Sequence, residues 1–165
     1  MDKNHKLLFH GAKSRIEGKL DIHKSRTNND LGQGCYTGER YEQAISFISG
    51  FEKSSVYIFD FKEEGLKGKK YNVNQEWMMT IAYYRGVLEE YENHPIIKKL
   101  IEKSCDCDYI IAPIADNRMF QIINSFIMGE ITDEQCKHCL AATNLGYQYV
   151  FKSDKAIKSL KMLER

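Results

Sequence analysis

The chain has 165 residues, 42% hydrophobic and 28% charged, which suits one globular domain with a real core and excludes a disordered polypeptide. Its formal net charge is +1, from 24 basic and 23 acidic side chains, so long-range attraction to phosphates cannot drive general nucleic-acid binding. No segment reaches the roughly 20 apolar residues of a membrane span, and the opening MDKNHKLLFHG lacks the apolar stretch of a signal peptide.

Two prolines, no internal repeat and no low-complexity stretch leave a single domain over residues 1–165 as the expectation, located in the cytoplasm. The first predicted strand covers residues 6–10 and ends at His10-Gly11. A long polar stretch follows and closes with NNDLGQGCYTG, read as a turn that delivers Tyr36 to the next element. ERYEQAISFISGF then has helical periodicity, with Tyr41, Ala44, Ile45 and Ile48 on one side. A strand is expected at 55–61, followed by a helix through QEWMMTIAYYRGVLEEY with Trp77, Ile81, Tyr84 and Leu88 on one side.

HPIIKKLIEK has proline at a helix start, where its missing N–H costs nothing. After a strand at 108–114, DNRMFQIINSFIMG begins with an acidic cap and ends in Gly129. TDEQCKHCLAATNLG has Thr132 as its cap. A strand at 146–151 and a short one near 160–163 complete the chain. Lys152, Lys155, Lys158 and Lys161 recur at every third residue and are expected to form a solvated face. This order specifies an α+β domain with a central helical insert at about 71–104, not a βαβ alternation. Neither GxGxxG nor GxxxxGK[ST] is present.

Five cysteines, an odd number, fit a reducing compartment. CDC (Cys105, Cys107) and CKHC (Cys136, Cys139) offer four thiols, but Cys136 and Cys139 share a helix face, and packing explains that spacing without a metal. No metal is expected.

LFHG followed by DLGQGCYTGERYEQA resembles the first two signatures of the poly-ADP-ribose-polymerase-like branch of ADP-ribosyltransferases. YQYVFKSDKAIKSLKMLE resembles the third, with Gln148 where that branch carries a glutamate. The segments HG, DLGQGCYTG, IIAPIADNRMF and QYVF also follow the order found in a family of small bacterial ADP-ribosyltransferase-like proteins, and span His10 to Phe151.

The resemblance implies an ADP-ribosyltransferase-like split β-sheet core and NAD as co-substrate. It implies mono-ADP-ribosyl transfer, with nicotinamide released, to an unknown acceptor that is a protein, a nucleic acid or a small molecule. A toxin or regulatory modifier with an antitoxin-like partner fits such a family, and a catalytically silent NAD- or ADP-ribose-binding module is the alternative.

On this resemblance His10, Tyr36 and Gln148 are the catalytic candidates. An imidazole fixed by backbone through one nitrogen can bind ribose hydroxyls through the other; a phenol can stack on nicotinamide; a carboxamide can hold a ribose hydroxyl. Without the resemblance each has a plain structural reading, as a strand-end histidine, a hairpin-edge aromatic and a solvent-side glutamine. Gly11, Gly32 and Gly34 are candidates for close backbone approach to the dinucleotide. Arg26 and Asp30 lie in the preceding loop, where a guanidinium suits diphosphate. Asp116, Asn117 and Arg118 are a site or a helix cap, and Glu76 is a spare carboxylate. Glutamine at 148 cannot act as a base and carries no charge to balance an oxocarbenium ion, so chain-building poly-ADP-ribosylation is not expected.

Overall fold

The computed structural model describes residues 5–13, 16, 20–22, 29–142 and 145–164. Those residues form a seven-stranded sheet with helices inserted between strands. In chain order the strands are β1 (His5–Ala12), β2 (Cys35–Gly38), β3 (Ser55–Lys62), β4 (Gly68–Lys70), β5 (Tyr109–Pro113), β6 (Tyr147–Phe151) and β7 (Leu160–Glu164). The helices are α1 (Tyr41–Ile48), α2 (Gln75–Tyr84), α3 (Pro95–Cys105), α4 (Asn117–Ile127), α5 (Asp133–Ala141) and α6 (Asp154–Lys158). Mixed α+β architecture is therefore observed, with α2 and α3 standing between β4 and β5.

Helix starts follow local chemistry. Asn74, Asp116 and Ser153 each accept a backbone N–H from the residue three ahead, and Thr132 with Gln135 forms a reciprocal capping box. His94 caps α3, with Pro95 in the first turn. The face expected for α1 is only half buried: Ala44 and Ile48 pack inward, whereas Tyr41 and Ile45 stay 45% and 41% exposed. This helix is only eight residues long and packs mainly over β1, with fewer contacts to β2 and β3, so its contact stripe is narrow.

The sheet order is β4-β5-β6-β2-β1-β3-β7. β4 and β5 are parallel and every other neighbouring pair is antiparallel. β2, read from sequence as a turn, is the central strand, and β4 had no strand pattern of its own. Four residues with a glycine at one end carry too little alternation to be recognised before their partner β6 is in place.

β1 and β3 pair over their whole length, His5 opposite Lys62 through Ala12 opposite Ser55. β1 meets β2 at the single register position Phe9–Gly38. The sheet bends sharply about this junction. Phe61 of β3 packs edge-on against Tyr109 of β5 and Phe151 of β6, with centroids 5.2 and 5.0 Å apart. Three and four strand spacings of about 4.8 Å separate those strands in a flat sheet, so the two halves must fold over this aromatic core. Leu8, Cys35, Tyr149 and Ala156 fill the rest of it. On the opposite face Ile110, Ala112 and Val150 are covered by Trp77, Met78, Ile81, Met119, Ile123, Cys136 and Leu140.

Lys152 departs from the expected solvated face. It is half-buried, its Nζ donates to the Leu31 carbonyl at 2.6 Å, and burial lowers its pKa. No described helix is long and apolar enough to cross a membrane.

Candidate functional site

The junction between β1 and β2 gathers the three catalytic candidates on adjacent strands. Because the ladder is registered only at Phe9–Gly38, the Tyr36 carbonyl is open to a side chain. His10 takes it: Nδ1 lies 2.5 Å from Tyr36 O. A carbonyl can only accept, so Nδ1 carries the proton and Nε2 keeps a lone pair. Nε2 has no hydrogen-bond partner among the described residues. Burial lowers the His10 pKa, against the opposing pull of the Tyr36 carbonyl, and favours the neutral ring.

Register pairs Gly38 with Gln148 and Tyr36 with Val150. Strand alternation thus puts Tyr36, Gly38 and Gln148 on the helix-covered face, while His10 alternates with Leu8 and Ala12 and reaches the junction from the other side. Gln148 is buried, and its Nε2 donates to the Pro113 carbonyl at 3.3 Å. Its Oε1 remains without a hydrogen bond among the described residues. Opposite Gln148 in the register the sheet is open: a Cβ placed on Gly38 would meet no atom within 4 Å. Phe9 and Tyr41, edge-on at 5.7 Å, stand beside it.

Tyr36 is anchored. Its hydroxyl donates to Gly32 O at 2.6 Å and accepts from Leu31 N at 2.9 Å, folding the DLGQG loop onto its own ring, and burial pushes the phenol pKa up. The loop glycines have packing reasons. A Cβ on Gly32, where φ is +84°, would lie 2.8 Å from the Tyr84 ring; one on Gly34 would lie 2.8 Å from Val150 Cγ1. Gly11 is required by α1, since its Cβ would lie 2.4 Å from Ala44 O.

The remaining candidates lie further out. Asp30 receives Arg85 Nε at 2.6 Å, and the same guanidinium reaches Asn117 Oδ1 and the Ala115 carbonyl. Asp116 accepts from Met119 N at 2.8 Å as the α4 cap, and Arg118 is exposed on that helix. Glu76 pairs with Lys69 at 2.8 Å, and its Oε1 is also a buried acceptor lacking good hydrogen-bond geometry; the short charge contact is the stronger description. Arg26 lies outside the described residues.

Sequence reasoning missed Gly38 and Arg85. Gly38 was legible as the residue two after Tyr36, on the same strand face, had β2 been recognised. Nothing local marks Arg85. Cys136 is buried against Met78, whereas Cys105 and Cys139 are exposed. Among the described residues no group of three or more potential metal ligands converges. A shallow surface depression on α5, lined by Ile131, Glu134, Gln135, His138 and Cys139, contains none of the site candidates.

No curated protein and no solved structure matches the chain. Residues 7–162 match the family described as Protein of unknown function (DUF3990), and with nearly the whole chain covered, the protein belongs to that family.

Proposed function

We propose that this protein is an NAD-dependent mono-ADP-ribosyltransferase whose dinucleotide lies at the β1–β2 junction. The observation that carries the reading is the His10 imidazole, held through Nδ1 by the Tyr36 carbonyl with Nε2 left unpartnered. The opening at Gly38 and the spare carboxamide oxygen of Gln148 beside it support the same reading. The single register position joining the two folded halves agrees with the split sheet that the resemblance implies.

Bound NAD would supply a ribose C1″ bearing nicotinamide as leaving group. In this reading the chain's residues act by positioning. His10 Nε2 accepts from a ribose hydroxyl, and Gln148 Oε1 accepts from another. Tyr36 holds the DLGQG loop, and its carbonyl orients the imidazole. Orientation of this kind lowers the barrier because the ring is fixed before charge develops. A toxin or regulatory role, with an antitoxin-like partner, belongs to the same proposal.

One observation favours the silent-module alternative: Gln148 is neutral, and Asp30, Glu76 and Asp116 are each engaged elsewhere. Incubation with NAD⁺ labelled in its adenosine separates the two. Nicotinamide release, lost in His10→Ala protein that remains folded, supports the transferase. Calorimetric binding without release over hours selects the module, and neither binding nor release ends both readings.

A further inference from the structure

The cysteines divide by environment. Cys35 and Cys136 are buried, whereas Cys105 is exposed and Cys107 partly exposed, two positions apart at the end of α3. Cys139 is exposed too, but its helix neighbour Cys136 is sealed against Met78. Asp106, between Cys105 and Cys107, has φ −86° and ψ 52°, close to the inverse γ-turn values of about −75° and +65°. That turn folds its flanking residues toward each other, within the roughly 4.4–6.8 Å between Cα atoms that a disulfide spans.

Both thiols are held by weak bonds around Ser104. The Cys107 thiol donates to Ser104 O at 3.5 Å. The Ser104 hydroxyl donates to Ile101 O at 2.7 Å, so the Tyr84 hydroxyl, 2.5 Å away, must donate to Ser104 Oγ. The Tyr84 oxygen is then left to accept from the Cys105 thiol at 3.8 Å. Lys152 closes the cluster: its backbone N–H donates to Asp108 O at 2.8 Å, and its Nζ stands 5.7 Å from the Tyr84 ring centroid. Burial pushes the Cys107 thiol pKa up and the Lys152 pKa down, and each group opposes the shift of the other, the ammonium favouring thiolate at Cys107.

Tyr84 and Lys152 also support the loop before β2. A Cβ on Gly32 would lie 2.8 Å from the Tyr84 ring and 3.0 Å from Lys152 Nζ, which itself donates to the Leu31 carbonyl. The same loop anchors the Tyr36 hydroxyl through Leu31 N and Gly32 O.

From this arrangement we propose that Cys105 and Cys107 are a redox-active dithiol, closed reversibly to a disulfide by a small-molecule disulfide such as oxidised glutathione, and that the DLGQG loop senses its state through Tyr84 and Lys152. The inference stands apart from the reading of the β1–β2 junction. Cys105, the more exposed thiol, reacts first: its thiolate sulfur bonds to one sulfur of the oxidant, whose S–S bond breaks and releases one thiolate. Cys107 then attacks Cys105 Sγ, and the second thiolate leaves. The two protein thiols supply two electrons, their two protons pass to the departing thiolates, and two small-molecule thiols are formed. Closure takes Cys107 from Ser104 O and Cys105 from the Tyr84 hydroxyl, which changes the support under Gly32.

The test equilibrates the full-length protein in glutathione buffers of graded oxidised-to-reduced ratio, alkylates it, and digests it with trypsin. Cleavage after Lys103 and Arg118 gives a peptide carrying only these two cysteines. In oxidising buffer this peptide should lose two hydrogen atoms and take up no alkylating reagent, and dithiothreitol should reverse both changes. Cys107→Ser should trap glutathione on Cys105. A wild-type peptide alkylated at both cysteines at every ratio overturns the proposal, as does one that keeps glutathione on Cys105 with Cys107 free. The Leu31 and Gly32 amide resonances should shift on oxidation of the wild type and stay in place in a Cys105→Ser, Cys107→Ser protein in the same buffers. A disulfide that leaves those two amides unmoved overturns the coupling to the loop.

Discussion

The imidazole of His10 and the backbone carbonyl of Tyr36 are 2.5 Å apart at the point where β1 and β2 cease to pair. A side chain thus completes a ladder that the backbone leaves open, and the sheet can fold about that point. The bond also assigns the tautomer, with hydrogen on Nδ1 and the lone pair on Nε2.

Burial lowers the His10 pKa below the ordinary histidine value of about 6.5. Below that value the unfolded chain takes up the proton first, so the unfolded state binds more protons and stability rises with pH across the window. The contribution is present above pH 6.5 and is lost as pH falls through the folded value. Urea midpoints measured from pH 7.5 downward should decline in the wild type, and His10→Gln should flatten that decline. Nitrogen-detected NMR should show the Nδ1–H tautomer at neutral pH.

Gly11 and Gly38 occupy the two strands that meet at the junction and should respond oppositely to substitution. Gly11→Ala drives a methyl into the Ala44 carbonyl and should cost about 2 kcal/mol by overpacking, read as a lower urea midpoint. Gly38→Ala meets open space and should change stability by less than about 0.5 kcal/mol. Gly38→Leu fills the opening and should weaken NAD⁺ binding in calorimetry while the protein stays folded.

Arg85 joins Asp30, the Ala115 carbonyl and Asn117, and stacks on Phe120 at 4.5 Å. Arg85→Ala leaves the Asp30 carboxylate half-buried without its cation and should destabilise the fold by about 2 kcal/mol. Arg85→Lys should recover only part of this, because a single ammonium nitrogen cannot reach acceptors that the guanidinium meets from three separate nitrogens. Thermal unfolding of the two variants measures both effects.

Gln148→Glu tests the missing charge. The new side chain loses its donor to Pro113 O in a buried position, so its carboxyl pKa should rise and the protonated form should replace the lost bond. A raised carboxyl pKa means that stability is lost as pH climbs above the unfolded value of about 4.3. The variant should unfold more easily at pH 8 than at pH 5, and the wild type should not share that trend. Faster NAD⁺ hydrolysis by the variant as pH rises would show the ionised carboxylate at work.

Thiol labelling reads the packing directly. Cys35 is buried and its pKa is pushed up to about 12, and Cys136 is buried against Met78. Cys105 and Cys139 are exposed. Native protein should take up an alkylating reagent at Cys105 and Cys139 within minutes and at Cys35 and Cys136 only after unfolding, as followed by mass spectrometry.

Elements that carry their own signal were legible. The caps at Asp116 and Thr132 were visible because an acceptor three residues before a backbone donor acts locally. β3 and β5 were visible because their apolar residues recur regularly along the chain. His10, Tyr36 and Gln148 could be named from sequence, and their arrival on three neighbouring strands could not. That depends on β2, whose four residues become a strand only when Tyr36 and Gly38 pair with Val150 and Gln148, more than a hundred positions away.

Sequence alone settled the α+β class, the helical insert and most helix starts, because those follow from forces between residues a few positions apart. Tertiary structure decided the fold line at Phe9–Gly38, the anchoring of the Tyr36 hydroxyl and the burial of Lys152. Each of these is a contact between distant segments, and its energy does not exist until the sheet has brought them together.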